Sequence, residues 1–358
     1  MEDNLPLDSA PEPIFASPEP SAKNSIFIGR FGLRAGWSLL IYFCMTACLI
    51  FAIRVGHDKL THHPQKEAVH TSAPAPKVDT SAPQPLLPAI TLEFILFATF
   101  FLLSWLMSLI ERRKLSAFGL GGRHSLRRFL VGFLWGFIAQ SLLVFSLISL
   151  HLLTFDSRLL HGLEIPFWGI ALACGFFLVG MAEEYAFRGY LQFTLTRGLV
   201  GLGEKISSKH SRSIAFWLAA IITSALFLIA HTNNAGEDKI GLVSVFLAGL
   251  VFVVALWRTG SLWWAIGFHT SWDWAQSFVY GVPDSGGLVQ GRLFATHAQG
   301  NPMLSGSTVG PEGSILIVPV LVLVLIVLAF TAKSPLPPLE LETTKSPAPS
   351  AELTPGIA

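Results

Sequence analysis

The stretch that decides the fold runs from Phe167 to Tyr190, "FWGIALACGFFLVGMAEEYAFRGY". Its first half is an uncharged apolar run of the kind that enters a bilayer or a dry core. Its second half sets Glu183, Glu184 and Arg188 directly behind that run. A charged side chain at mid-bilayer costs about 2.5–3.5 kcal/mol on insertion scales. Three such groups must therefore face protein or water rather than lipid. Glu184 and Arg188 are four residues apart, share one helix face and can pair. Glu183 is turned about 100° away and stays available. The bland alternative is a helix-locking ion pair, with Glu183 reaching the interface.

Composition agrees with a membrane setting. The chain of 358 residues is 52% hydrophobic and 13% charged, with 28 Phe and 10 Trp. Soluble domains carry roughly 25% charged residues. A net charge of +1 gives no reason to expect a nucleic-acid partner. Cys44, Cys48 and Cys174 all lie in apolar runs and read as small hydrophobes, not as a disulfide framework or a metal site.

Eight apolar segments approach the roughly 20 residues a span needs. They are Ala35–Ile53, Ile90–Ile110, Phe129–Leu153, Pro166–Leu195, Ser213–His231, Ile240–Trp257, Ser261–Tyr280 and Ser314–Thr331. The expected fold is all-α, a polytopic membrane bundle of about eight helices. Pro-, Ser- and acid-rich ends cannot bury enough apolar surface to order. Five parts follow: a disordered cytoplasmic N-terminus (1–34), an accessory span (35–56), a Pro-rich linker (57–88) containing "TSAPAPKVDTSAPQP", a core (89–332) and a disordered tail (333–358). Arg112, Arg113, Lys114, Arg123, Arg127 and Arg128 follow the second span, and Arg197, Lys205, Lys209 and Arg212 follow the fourth. The positive-inside rule puts both connections, and hence both termini, in the cytoplasm. The protein is expected to be integral and multi-pass, in the cell membrane if its source is bacterial.

Two further spans carry acid/base groups. "SALFLIAHTNN" ends the fifth with His231, one turn after Phe227. "SLWWAIGFHTSWDWAQ" in the seventh places His269 and Asp273 on one helix face. Each has a bland reading, an interfacial histidine or a local His–Asp hydrogen bond. Ionisable groups recurring on three spans point instead to a shared polar site. Such groups activate water, bind a divalent metal such as zinc or relay protons. Residue types and spacing do not choose among hydrolysis, proton transport and ion transport. A ruler laid from the start of the fourth span leaves His231 about 10–15 Å from the level of Glu183.

In order, Glu183-Glu184-x-x-x-Arg188, Phe227-x-x-x-His231 and His269-x-x-x-Asp273 resemble the three motifs of the CPBP intramembrane proteases. That family includes CAAX-processing endopeptidases and bacterial self-immunity relatives. The turn in "LWRTGSLWWAIGFHTSWDW" and the "ERRKLSAFGL" segment are similar as well, and the resemblance covers about Ile90 to Tyr280. It implies hydrolysis of a membrane-associated peptide or protein substrate, CaaX-like or a precursor peptide. By position, Glu183 would be the general base, with His231 its partner on the attacking water. His269 and Asp273 would hold the oxyanion or substrate carbonyl, with Glu184, Arg188 and Phe227 in support. Where CAAX-processing members tend to carry Asn, this chain has Asp273. An ionised aspartate cannot donate to an oxyanion, so Asp273 must be protonated, orient His269 or bind a metal. If a metal is present, its candidate ligands are Glu183, His231, His269 and Asp273. The chain has no H-E-x-x-H, G-x-S-x-G or GxGD signature. The rival reading is a non-proteolytic bundle, an immunity or scaffold protein or a proton-coupled transporter. Paired interrupted spans, which mark many transporters, are not evident.

Overall fold

The computed structural model describes residues 26–61, 83, 85–121, 124–232, 234 and 238–331. The expected unstructured segments 1–25, most of the linker (62–82) and 333–358 lie outside these residues. In chain order come strands β1 (Ile28–Gly29) and β2 (Gly32–Leu33), then helices α1 (Ala35–Thr61), α2 (Leu86–Ile110) and α3 (Ser125–Ser149). Strand β3 (Leu153–Arg158) leads into α4 (Glu164–Glu184), a π-helical turn (Tyr185–Leu191) and α5 (Gln192–Ile206). Helices α6 (Ser211–His231), α7 (Lys239–Thr259) and α8 (Trp263–Trp274, continued by a π turn to Val279) follow. Strand β4 (Phe294–Ala298) and the short α9 (Pro302–Ser305) precede α10 (Ile317–Thr331).

Each of the eight apolar segments is helical. Six helices are long and apolar enough to cross a membrane: α1, α2, α3, the continuous α4–α5 rod of 43 residues, α6 and α7. The other two, α8 and α10, are shorter. Every residue of α8 from Trp264 to Asp273 is buried, so this helix is the centre of the bundle rather than a lipid-facing wall. Its neighbour α3 approaches closely because Gly132 and Gly136 on α3 and Gly267 on α8 have no Cβ. A methyl group at these positions would strike the Trp264 carbonyl, the Phe268 carbonyl and the Phe129 carbonyl respectively.

The α7–α8 turn is set by local chemistry. Asp238 caps α7 by accepting from the amides of Ile240 (2.9 Å) and Gly241 (2.8 Å). Gly260, with φ 72°, ends it in the left-handed region. The Leu262 amide then bonds the Gly119 carbonyl at 2.9 Å, tying the turn to the connection after α2.

Two features depart from the sequence reading. The first span, expected to be accessory, is tied to the α4–α5 rod. Arg197 on α5 donates to the carbonyls of Phe31 (3.2 Å) and Leu33 (2.7 Å), to Ser38 Oγ (2.9 Å) and to Glu111 (3.2 Å). Tyr42 of α1 stacks on Tyr190 at 4.5 Å. Residues 28–33, placed by sequence in an unstructured segment, are thus a hairpin that satisfies a buried guanidinium. The helices also consume both ends of the expected linker, since α1 runs to Thr61 and α2 begins at Leu86. Secondly, β3 and β4 pair antiparallel with a bulge between Phe155 and Ser157, a second small sheet in a mainly helical fold.

Candidate active site

The α4–α5 rod and α8 bring the first and third motifs together. Glu184 is fully buried, and its Oε1 accepts from Arg188 Nη1 at 3.0 Å and from His269 Nδ1 at 3.1 Å. The Arg188 guanidinium is enclosed by Phe227, Phe252 and Phe187, with 4.1, 5.2 and 5.8 Å to their ring centroids. Cation–π contact thus replaces part of the water it has lost. Phe252 also stacks on the His269 ring at 5.2 Å and 17°.

Glu183 points elsewhere. Its side chain is 29% exposed, and Oε2 stands 3.7 Å from His269 Nε2. That oxygen has no hydrogen-bond partner among the described residues. Asp273, one turn along α8, puts Oδ2 3.4 Å from the same Nε2. Because a carboxylate accepts, His269 Nδ1 carries a proton toward Glu184, and Nε2 is the nitrogen that faces Glu183 and Asp273.

His231 reaches the same place. Its Nδ1 lies 2.8 Å from the Phe227 carbonyl. A carbonyl only accepts, so Nδ1 is the donor and a neutral ring has its acceptor lone pair on Nε2. The Phe227 ring packs 4.4 Å from the imidazole. The expected offset between His231 and Glu183 shrinks when the ruler starts at the α5–α6 turn. Glu183 lies 23 residues before Ile206 at the end of α5, and His231 lies 20 after Ser211 at the start of α6. At 1.5 Å per residue, the two levels differ by about 5 Å. Glu183, His231, His269 and Asp273 all line one cavity of about 320 Å³, near the lower end of the roughly 300–1,000 Å³ typical of ligand pockets.

Two functional-looking residues were not singled out from sequence. The connection between α8 and α10 brings Asp284 and Glu312 into this cavity. Trp272 Nε1 donates to Glu312 Oε1 at 3.0 Å, and the Ser285 amide and hydroxyl approach Oε2 at 3.3 and 3.4 Å. Ser277 Oγ donates to Asp284 Oδ2 at 3.2 Å. One carboxylate oxygen from each of Asp273, Asp284 and Glu312 lies within 4.8 Å of the others. Burial, then the charges of Asp273 and Glu312, hold the Asp284 carboxyl well above the usual carboxylate range, with His269 and Ser277 pulling the other way. The loop is fixed by reciprocal 2.8 Å bonds between Asp284 and Gly287, and by Gln276 Nε2 donating to the Pro283 carbonyl at 2.8 Å. The only sequence signals were lone acids in "GVPDSGG" and "VGPEGS".

The proposed zinc candidates Glu183, His231, His269 and Asp273 are not brought to metal-ligand spacing as a set. Among the described residues, the cluster of three or more that reaches it is Asp273, Asp284 and Glu312.

A helical bundle of membrane-spanning length, with a carboxylate–histidine cavity between its helices, defines a multi-pass integral membrane protein built around an internal polar site. Residues 165–275, which hold all three motifs, match the family model described as type II CAAX prenyl endopeptidase Rce1-like. That segment, about a third of the chain, is similar to the CAAX endopeptidase family. No curated protein and no solved structure matches it.

Proposed function

We propose that the protein is an intramembrane endopeptidase that hydrolyses a peptide bond of a membrane-associated substrate with a water activated by Glu183. The observation that carries this reading is the convergence of Glu183, His231, His269 and Asp273 on one cavity from three separate helices. Glu183 takes a proton from water as the oxygen attacks the scissile carbonyl. His231 Nε2 accepts the second water hydrogen and fixes the direction of attack. Asp273 in its protonated form, and His269 through Nε2–H as an imidazolium, donate to the oxyanion. Glu183 then returns its proton to the leaving amine as the C–N bond breaks, so no proton is left over. Glu184 and Arg188 act through His269, which they orient.

If the enzyme uses a divalent ion, Asp273 with Asp284 and Glu312, the carboxylates at ligand spacing, would hold it. Asp273→Asn separates the routes. A permanent amide donor preserves or raises activity, and activity then holds as pH rises while that of wild type falls. Loss of activity in Asp273→Asn, together with reversible inhibition by chelators, would make the site metal-dependent. By the positive-inside rule, both termini are cytoplasmic. Asn234 and Ser285 line the cavity just beyond the ends of α6 and α8, away from the basic connections. The cavity then lies toward the outer leaflet.

A further inference from the structure

A second cavity, of about 530 Å³, lies between the β1–β2 hairpin, the start of α1 and the second half of α5. It shares no lining residue with the carboxylate–histidine cavity. Its charged lining residues are Arg30, Arg34, Arg197 and Glu204. Glu204 pairs with Arg30 at 3.0 Å in an exposed bridge. Arg197 shares Glu111 with Arg113, each at 3.2 Å. In this group arginines outnumber carboxylates by two to one. The Arg197 side chain is only 2% exposed, and its Nε has no hydrogen-bond partner among the described residues. The start of α1 adds donors. Ala35 and Gly36 line the same space, and the first turn carries no acidic residue. The Ser38 amide bonds the Arg34 carbonyl at 3.0 Å, but the amides of Ala35 and Gly36 have no partner among the described residues. Gly198 brings α5 against α1, since a methyl group there would stand 2.6 Å from the Ala35 Cβ. Beyond that contact the space is open, with nothing within 4 Å of a methyl group built on Gly36 or Gly201.

We infer that this cavity binds the phosphate of an anionic phospholipid from the cytoplasmic leaflet. Guanidinium groups in excess hold phosphate oxygens through charge-assisted hydrogen bonds. Unpaired amides at a helix N-terminus supply further donors and a favourable dipole. The surroundings argue for a lipid rather than a free phosphate. The residues flanking the lining are apolar and exposed, with Phe27 and Ile28 before Gly29 and Leu202 after Gly201. Trp37 packs its ring 5.0 Å from Phe27 and donates Nε1 to the Ile26 carbonyl at 3.0 Å. An amphipathic ring of this kind sits at the level of lipid headgroups, and basic residues beside a span attract the anionic lipids of this leaflet. The site needs no peptidase activity, so its test is independent of that reading.

The test is native mass spectrometry of the full-length protein in detergent. The probe is phosphatidylglycerol, with phosphatidylcholine as the zwitterionic control and inorganic phosphate as the competitor. Phosphatidylglycerol is expected to bind about tenfold or more tighter than phosphatidylcholine. Arg34→Gln should weaken it about fivefold, the scale of one basic residue at an anionic surface. Gly201→Glu sets a carboxylate into the open space and should weaken it by about tenfold or more. Lys209→Gln, in the neighbouring α5–α6 turn, should leave binding unchanged. Thermal unfolding verifies that each variant folds. Because Arg34 precedes α1 and Gly201 lies on α5, one site variant carries the test if the other misfolds. Equal binding of the two lipids would overturn the inference, as would a preference that survives in both site variants. A loss in Lys209→Gln as large as that in Arg34→Gln would mark unspecific surface attraction and overturn it too. Inorganic phosphate that displaces the lipid at concentrations equal to the lipid's own would mark a free-phosphate site and remove the lipid assignment.

Discussion

One oxygen, Glu184 Oε1, accepts from both Arg188 Nη1 at 3.0 Å and His269 Nδ1 at 3.1 Å. The ion pair of the first motif thus orients the histidine of the third. Sequence reading assigned Glu184 and Arg188 to support, and the shared oxygen gives that role a physical form. It fixes which nitrogen of His269 faces the cavity.

Breaking this pair should cost folding before it costs chemistry. Arg188→Ala leaves Glu184 buried without its cation, and Glu184→Gln strands the guanidinium among three phenyl rings. Removing one partner of a buried pair costs about 3–5 kcal/mol. Both variants should accumulate poorly and melt early in detergent, whereas Glu183→Gln should melt like wild type. Equal melting of all three would mean that the pair is not structural.

The contact between α3 and α8 should be intolerant of size. Gly267→Val pushes a branched side chain into the Phe129 carbonyl. A destabilisation at the upper end of the roughly 1–3 kcal/mol seen for overpacking is expected. Thermal unfolding checks this, with Gly201→Ala as the control because nothing lies within 4 Å of its added methyl.

Asp284 should make stability depend on pH. Its folded carboxyl is held above its unfolded range by burial and by Asp273 and Glu312. Its contribution is therefore fully present below the unfolded value, about 4, and is lost as pH rises through the folded one. Asp284→Asn cannot titrate, so it should gain stability relative to wild type as pH rises across that window. Parallel melting curves against pH would show that Asp284 is not held protonated.

Orientation is open to direct labelling. With Cys44, Cys48 and Cys174 replaced by serine, a cysteine at Leu163, which is 88% exposed, should react with an impermeant thiol reagent on intact cells. A cysteine at Lys209, exposed beside the α5–α6 turn, should react only after permeabilisation. The opposite pattern would invert the topology.

Much of the site was legible because its motifs are local. Glu183, Glu184 and Arg188 share one turn of helix, and His269 and Asp273 another, so helical spacing alone groups them. Asp284 and Glu312 were not legible. They sit in a Gly- and Pro-rich connection without periodicity, and only tertiary contacts through Trp272, Ser277 and Gln276 carry them to Asp273. The docking of α1 was hidden for the same reason. Arg197 reads in sequence as one more positive-inside charge, yet it is buried against backbone carbonyls more than 160 residues away. The misjudged level of His231 had another source, since the 43-residue rod continues well past the span assigned from hydropathy.

The central claim is that Glu183 is the base of a peptide hydrolase. Its most direct test is mass-spectrometric mapping of peptide termini in membranes from cells producing wild type or Glu183→Gln at equal levels. Wild type should generate new termini within or beside membrane segments that are absent with Glu183→Gln. Identical termini in the two samples would contradict the claim.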